Sequence, residues 1–410
     1  MTSTTTHRAE QPPLAPAPDL NGRLPTLDGL RGLAVIGVML THFVGQGSAP
    51  GWIGGIVQSI AAIGVYGVDL FFVLSGFLIT GILIESKGGS HYFRSFYMRR
   101  VLRIFPLYFG VLLFFLVLVP LIRNIPPHSR VAYAQQGWLW LFSSNVIMAI
   151  RDQWVFNTPW LALGHFWSLA VEEHFYLVWP ALVYFCSHRT LPGICLLAIV
   201  TAIGSRTWFV VNGNPELPVA ILTICRIDAL ALGGLLAAGL RMPGMMSALR
   251  RPAWALAVAS LGCLMFQHLA VGDYMHWGMR IPGFTAVALL FAALLYSTLA
   301  VPGGHPWARF WSCPPLVFFG KYSYALYVFH LPVIPVLNHV APVSRFAAWT
   351  GSPLAGLLAY TAVGTVVCLG LALLSWHCYE KHFLSLKRFF PAHGKQAPRA
   401  LTPVSRQALS

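Results

Sequence analysis

Charge is what this sequence has least of. Asp, Glu, Lys and Arg make up only 10% of its 410 residues, against roughly 25% in soluble domains, and that scarcity excludes an ordinary soluble protein. Acidic residues are scarcer still, 12 against 27 lysines and arginines, for a formal net charge of +15. In a soluble chain such an excess would suggest nucleic acid. In a membrane chain it reflects the cationic bias of cytoplasmic loops, and no nucleic-acid partner is expected. The seven cysteines form no CxxC pair, so no metal site or disulfide framework is expected and they read as buried thiols. The N-terminal MTSTTTHRAEQPPLAPAPDLNGRLPT has no apolar core and no small-residue cleavage site. It is therefore not a signal peptide, and residues 1–25 read as a disordered cytoplasmic tail. No repeat of roughly 20–50 residues is evident, which argues against an inverted-repeat transporter.

Long apolar runs are what it has in plenty. Hydrophobic residues make up 57% of the chain, and several runs approach the roughly 20 residues that cross a bilayer. The expectation is an all-α, polytopic transmembrane helical bundle of ten spanning helices, near 29–46, 62–84, 104–121, 168–186, 192–211, 221–240, 253–270, 282–300, 316–338 and 353–376. The stretch 136–150, QGWLWLFSSNVIMAI, is ambiguous, being short for a span and broken by two serines and an asparagine. The positive-inside rule decides between the two topologies. If 136–150 does not cross and the N-terminus is cytoplasmic, most lysines and arginines lie inside, with Arg123, Arg130, Arg151, Arg280 and Arg345 outside. If it did cross, the basic C-terminal tail would face out. Both termini are thus expected in the cytoplasm, and 122–167 becomes a long outer loop whose tryptophans suit the membrane interface. The expected division is the tail 1–25, a transmembrane domain 26–378 and a basic cytoplasmic tail 379–410.

The first apolar helix, LDGLRGLAVIGVMLTHF, carries Arg31 and His42 eleven positions apart. Eleven helical steps return the side chain to the same face about 16 Å along the axis. A lone buried histidine is often only a hydrogen-bonded core residue. A cation and a titratable base on one face of a membrane helix read as functional. A neutral imidazole can take a proton from a hydroxyl, and a carboxylate would orient it; Asp69, Glu172 and Glu173 are the candidates, and the sequence leaves the choice open.

Other charges in or beside apolar segments are Arg206, Arg226, Lys321, Asp28, Glu85 and Asp228. Arg226 and Asp228 could offset each other, and buried acids could pin helices together; for the whole set, a functional cavity is the stronger reading. In FYMRRVLRIFPLYF, Arg100 and Arg103 share a helix face at the cytoplasmic entrance and Arg99 points elsewhere. Such a pair serves as a stop-transfer cluster and also as a phosphate anchor, because guanidinium forks bind phosphate bidentately. Glu172 and Glu173 point about 100° apart and cannot both face one cavity squarely, so only one is expected to act. Tyr324, Tyr327 and His330, spaced by three, form either a cavity wall or a packing stripe.

In chain order, LDGLRGLAVIGVMLTHF, GVDLFFVLSGFLIT, RRVLRIFPLY, FWSLAVEEHFYLVWP, CRIDALALGGLLA and KYSYALYVFHLPV resemble the acyltransferase-3 family of integral membrane acyltransferases, which includes O-acetylases of bacterial surface polysaccharides. The resemblance covers about 28–376. It implies a multi-pass enzyme of the bacterial cytoplasmic (inner) membrane, surrounded by membrane lipid. Its donor co-substrate would be cytoplasmic acetyl-CoA or another acyl-CoA, with no metal. Its acceptor would be a hydroxyl of a saccharide or glycoconjugate at the outer face. Arg31 and His42 match the family's Arg-x10-His motif, and Arg100 and Arg103 its RxxR motif for handling the donor. His42 would deprotonate the acceptor for direct attack on the thioester, with an acyl-histidine intermediate left open. Some members carry a fused periplasmic SGNH hydrolase-like domain. The chain has no GDS-type serine motif, so a separate periplasmic partner is expected in its place. The rival reading is a transporter or flippase of a sugar or lipid-linked intermediate.

Overall fold

Twenty residues of α-helix rise about 30 Å, the thickness of a bilayer's hydrocarbon core. In that core every backbone N–H and C=O must be satisfied within its own segment, which the helix alone among open structures achieves. The apolar runs fold accordingly. The structure, a computed structural model, describes residues 24–391 apart from 123, 188, 214, 243 and 272–278. Described elements are helical apart from one isolated bridge between Asn157 and Ala162. The principal helices are α1 (Pro25–Val44), α2 (Trp52–Ile63), α3 (Gly67–Ser86), α4 (Tyr92–Leu113), α5 (Phe166–Phe185), α6 (Leu191–Val211), α7 (Thr223–Gly239), α8 (Arg250–Val271), α9 (Phe284–Leu299), α10 (Pro314–Lys321), α11 (Ser323–Val340) and α12 (Pro353–Ser375).

Among the described residues seven helices are long and apolar enough to cross a membrane: Pro25–Val44, Trp52–Ser86, Tyr92–Ile122, Leu191–Val211, Glu216–Gly239, Met279–Leu299 and Pro353–Phe389. An eighth is the pair α11 and Val343–Thr350, bent by 59°. Helices α5 and α8, of 20 and 22 residues, occupy two further positions expected to span. The segment expected at 316–338 is broken at Tyr322 into the eight-residue α10 and the 18-residue α11. The 136–150 stretch is not one helix. It forms Gly137–Trp140 and Ser144–Arg151, of 4 and 8 residues, each far too short for a span. Its Tyr108-facing side is buried: Phe142 stacks on Tyr108 at 4.1 Å, and the Tyr108 hydroxyl donates to the Leu139 carbonyl at 2.8 Å.

The expected N-terminal tail lies outside the described residues up to 23, and helix starts at Pro25. At the other end helix continues past 376 through Trp376–Glu380, Lys381–Ser385 and Leu386–Phe389. The rest of the expected tail, 392–410, lies outside the described residues. Among those described, no disulfide joins any cysteines.

With hydrocarbon on the outside, helices associate by close packing and polar contacts rather than by the hydrophobic effect. Helix α10 lies so close to α1 that a Cβ on Gly320 would stand 1.7 Å from the Asp28 carbonyl oxygen. Helices α3 and α7 meet in the same way, with a Cβ on Gly76 1.9 Å from the Leu230 carbonyl oxygen. Two buried ion pairs add to this. Arg226 of α7 donates to Asp69 of α3 at 2.5 Å, and its guanidinium covers the Phe284 ring at 4.0 Å. Arg206 of α6 donates to Asp228 of α7 at 2.9 Å and to the Thr285 hydroxyl of α9 at 2.5 Å. Arg226 and Asp228 do not offset each other: each reaches to a different neighbouring helix, because residues two apart face different sides.

Candidate active site

Two cavities meet on the inner face of α1. The outer one, of about 380 Å³, is lined by Asp28, Arg31, Arg103, Lys321, Trp376 and Glu380 among others. The inner chamber, of about 100 Å³, is lined by Arg31, Arg100 and Arg103 together with Glu172, Glu173 and Tyr327. Arg31, Arg103 and Tyr324 border both, so they form the passage between them. The three arginines picked out from the sequence therefore converge. Arg31 donates to Asp28 one turn before it at 3.1 Å. The Arg100 guanidinium covers the Tyr176 ring at 5.4 Å, and the three-residue spacing puts Arg100 and Arg103 on one face of α4. Arg99 turns away and donates to the Phe390 carbonyl at 3.1 Å.

Both glutamates line the inner chamber. The chamber is walled by α1, α3, α4, α5 and α11, so it is open to two adjacent directions on α5. Glu172 accepts from Ser75 at 2.6 Å and from Tyr176 at 3.0 Å. Glu173 keeps Oε1 buried without a hydrogen-bond partner. The chamber thus holds three cations over two carboxyl groups, one fully bonded and one not.

Asp69 and His42 are elsewhere. Asp69 is 2% exposed in its ion pair with Arg226 and lines neither cavity. His42 also lines neither, and among the described residues no carboxylate is hydrogen-bonded to it. Its Nδ1 donates instead to the carbonyl of Val38, one turn back, at 2.8 Å. This fixes the tautomer and leaves Nε2 as the basic nitrogen. The expected carboxylate orienter is replaced by backbone, because a helical imidazole can reach the carbonyl at i−4.

What His42 touches is a second imidazole, which in turn touches a third. Its ring lies 5.0 Å from that of His330, which lies 4.8 Å from that of His165. His330 in turn lies 5.3 Å from Tyr327 in the chamber wall. The Tyr327 hydroxyl is 2.5 Å from Ser168, another chamber residue. His42 is half-buried, whereas His330 and His165 are 0% and 4% exposed. The site is therefore a sequence of layers: arginine passage, carboxylate chamber, Tyr327 and Ser168, then the histidines. Among the described residues no group of His, Cys, Asp or Glu is placed to hold a metal ion.

Sequence reasoning missed His165, Ser168, Ser75 and Tyr176. A signal for three of them was present: His165, Ser168, Glu172 and Tyr176 follow one another at spacings of three and four, a polar stripe on one face of α5. Ser75 had none, since its role depends on where α3 packs against α5.

The model of a protein family described as an acyltransferase domain matches residues 24–375. The O-acetyltransferase OatA of Staphylococcus aureus is 34% identical over 339 residues, which are 77% of the chain and 51% of that protein. The peptidoglycan O-acetyltransferase OatA of Listeria monocytogenes is 29% identical over 343 residues, 80% of the chain and 52% of that protein. The chain spans about half the length of the curated relatives it matches. No solved structure matches it.

Proposed function

The chain belongs to the acyltransferase-3 family, and from that premise we propose that it is a membrane-embedded O-acyltransferase. It moves an acetyl group from cytoplasmic acetyl-CoA to a saccharide hydroxyl at the outer face of the bacterial cytoplasmic membrane. The bias of lysine and arginine toward the segments expected inside supports this direction. The names of the two relatives support acetyl as the group transferred, and that of the Listeria protein supports a peptidoglycan-type glycan as the first acceptor to test.

The observation that carries the reading is the convergence of Arg31, Arg100 and Arg103 on one chamber whose wall touches the cluster containing His42. Guanidinium groups hold phosphates by paired hydrogen bonds, so the arginines retain the coenzyme A end of the donor. The slender thioester arm enters the chamber toward Tyr327 and Ser168. His42, half-buried at the far end of the same helix face, takes the proton from the acceptor hydroxyl. The role once considered for Asp69, orienting His42, passes to the Val38 carbonyl, and Asp69 holds α3 to α7 through Arg226.

The test is compositional. Deleting the gene removes one O-acetyl ester from the cell's surface glycans, seen by NMR of the isolated glycan before and after mild alkali. An unchanged ester profile together with a glycan or lipid-linked intermediate that no longer crosses the membrane would replace this reading with the transporter.

A further inference from the structure

The outer cavity owes part of its wall to a segment that the arginine passage does not use. Helix α12 ends at Ser375, and the chain continues through one π-helical turn, Trp376–Glu380, into Lys381–Ser385. The match to the acyltransferase family also ends at residue 375. Beyond it, Trp376, Glu380 and Leu384 line the outer cavity. Two bonds hold this segment against α4, the helix of Arg100 and Arg103. Tyr379 donates to the Pro106 carbonyl at 3.3 Å, and Arg99 donates to the Phe390 carbonyl at 3.1 Å. A wide i→i+5 turn is rare and recurs at functional sites. Here it brings Ser375 to Glu380, whose Oε1 accepts from the serine hydroxyl at 2.8 Å.

Volume divides the donor between the two cavities. The inner chamber, of about 100 Å³, admits a slender arm but no nucleotide. The outer cavity, of about 380 Å³, has the size of a small-molecule site. Its cations Arg31, Arg103 and Lys321 suit phosphates, but Glu380 does not, because a carboxylate repels them. Asp28, the other acid in this wall, is paired with Arg31. Glu380 is 7% exposed, and among the described residues no ion pair includes it. Such a carboxylate calls for neutral donors. Resting on the acyl-transfer reading, we propose that the Trp376–Glu380 turn is the adenine subsite for the acyl-CoA donor. The base stacks on the half-buried Trp376 ring, and its exocyclic amine donates to Glu380. Lys321, whose Nζ stands 5.3 Å from the Trp376 ring, and Arg103 hold the phosphates that follow. A carboxylate only accepts hydrogen bonds, so Glu380 favours a base with an amine there over one with an oxygen.

The test uses the full chain in lipid vesicles with a saturating peptidoglycan-derived glycan and three acetyl donors. These are acetyl-CoA, its deaminated analogue with hypoxanthine in place of adenine, and acetylpantetheine, which has no nucleotide. The wild-type chain is expected to show a KM about tenfold or more higher for the hypoxanthine donor, whose exocyclic oxygen would face Glu380. Glu380→Gln, whose amide can also donate, narrows that gap. Trp376→Leu raises KM for acetyl-CoA roughly 5- to 100-fold with kcat little changed. Its rate with acetylpantetheine matches that of the wild-type chain. Equal KM values for the adenine and hypoxanthine donors in the wild-type chain would overturn the subsite, and this arm requires no variant to fold. A Trp376→Leu rate that falls as far with acetylpantetheine as with acetyl-CoA would also overturn it and leave the ring a packing element. Transfer from none of the three donors by the wild-type chain would overturn the acyl-transfer reading, and the subsite with it.

Discussion

The His42 and His330 rings lie 5.0 Å apart, and each is held by a main-chain carbonyl rather than by a carboxylate. A charged orienter strengthens an imidazole as a base but adds an ion that must itself be paired when buried. The backbone carbonyls of Val38 and Tyr327 fix the rings without that burden. The carboxyl groups are kept instead for the chamber, beside the arginines.

His42→Asn is the first consequence. Asparagine can still donate to the Val38 carbonyl but has no basic nitrogen, so the helix stays intact while acetyl transfer falls by roughly 10²–10⁴-fold. Steady-state rates in reconstituted vesicles, with the elution profile of the purified protein as the folding control, check this. A variant with wild-type rates removes His42 from the chemistry.

Replacing Arg100 or Arg103 with lysine keeps the charge and removes the fork. A phosphate-binding role predicts a KM for acetyl-CoA raised about tenfold or more with kcat little changed, because the lost contact is made equally in ground and transition states. Titration with acetyl-CoA at saturating glycan separates this from a chemical role, in which kcat would fall instead.

Asp69 gives the opposite kind of effect. Asp69→Asn deprives the buried Arg226 guanidinium of its carboxylate, which costs about 3–5 kcal/mol in a buried pair. Thermal unfolding of the detergent-solubilised protein should shift down, and replacing Arg226 with methionine in the same chain should recover much of the loss. If the melting temperature is unchanged while activity disappears, Asp69 belongs to the catalytic machinery after all.

Gly320→Val tests the packing that positions the passage. Its Cβ would stand 1.7 Å from the Asp28 carbonyl oxygen, so α10 must move off α1 and carry Lys321 of the cavity wall with it. Overpacking of this kind costs roughly 1–3 kcal/mol or more. Reduced expression or a lower melting temperature, with donor binding weakened more than in an Ala variant of a lipid-facing residue such as Val366, is the expected result.

Helix positions were legible because a bilayer leaves the backbone no alternative, and apolar run length reads directly as span. The convergence of Arg31 with Arg100 and Arg103 was legible in part, since each lies on a definable face near one end of its helix. The pairing of Arg226 with Asp69 and Arg206 with Asp228 was not, because it depends on α3 and α6 both becoming neighbours of α7. For the same reason the sequence could nominate carboxylates for His42 but could not show that His330 and His165 stand there. The break at Tyr322 also escaped it, although Gly320 and Lys321 stand just before it in the apolar run.

The most direct measurement is transfer itself. Vesicles containing the purified chain, supplied with acetyl-labelled acetyl-CoA and a peptidoglycan-derived glycan, should release free coenzyme A thiol in step with label appearing on the glycan as an alkali-labile ester. Movement of the glycan across the membrane with no thiol released and no label incorporated would contradict the account.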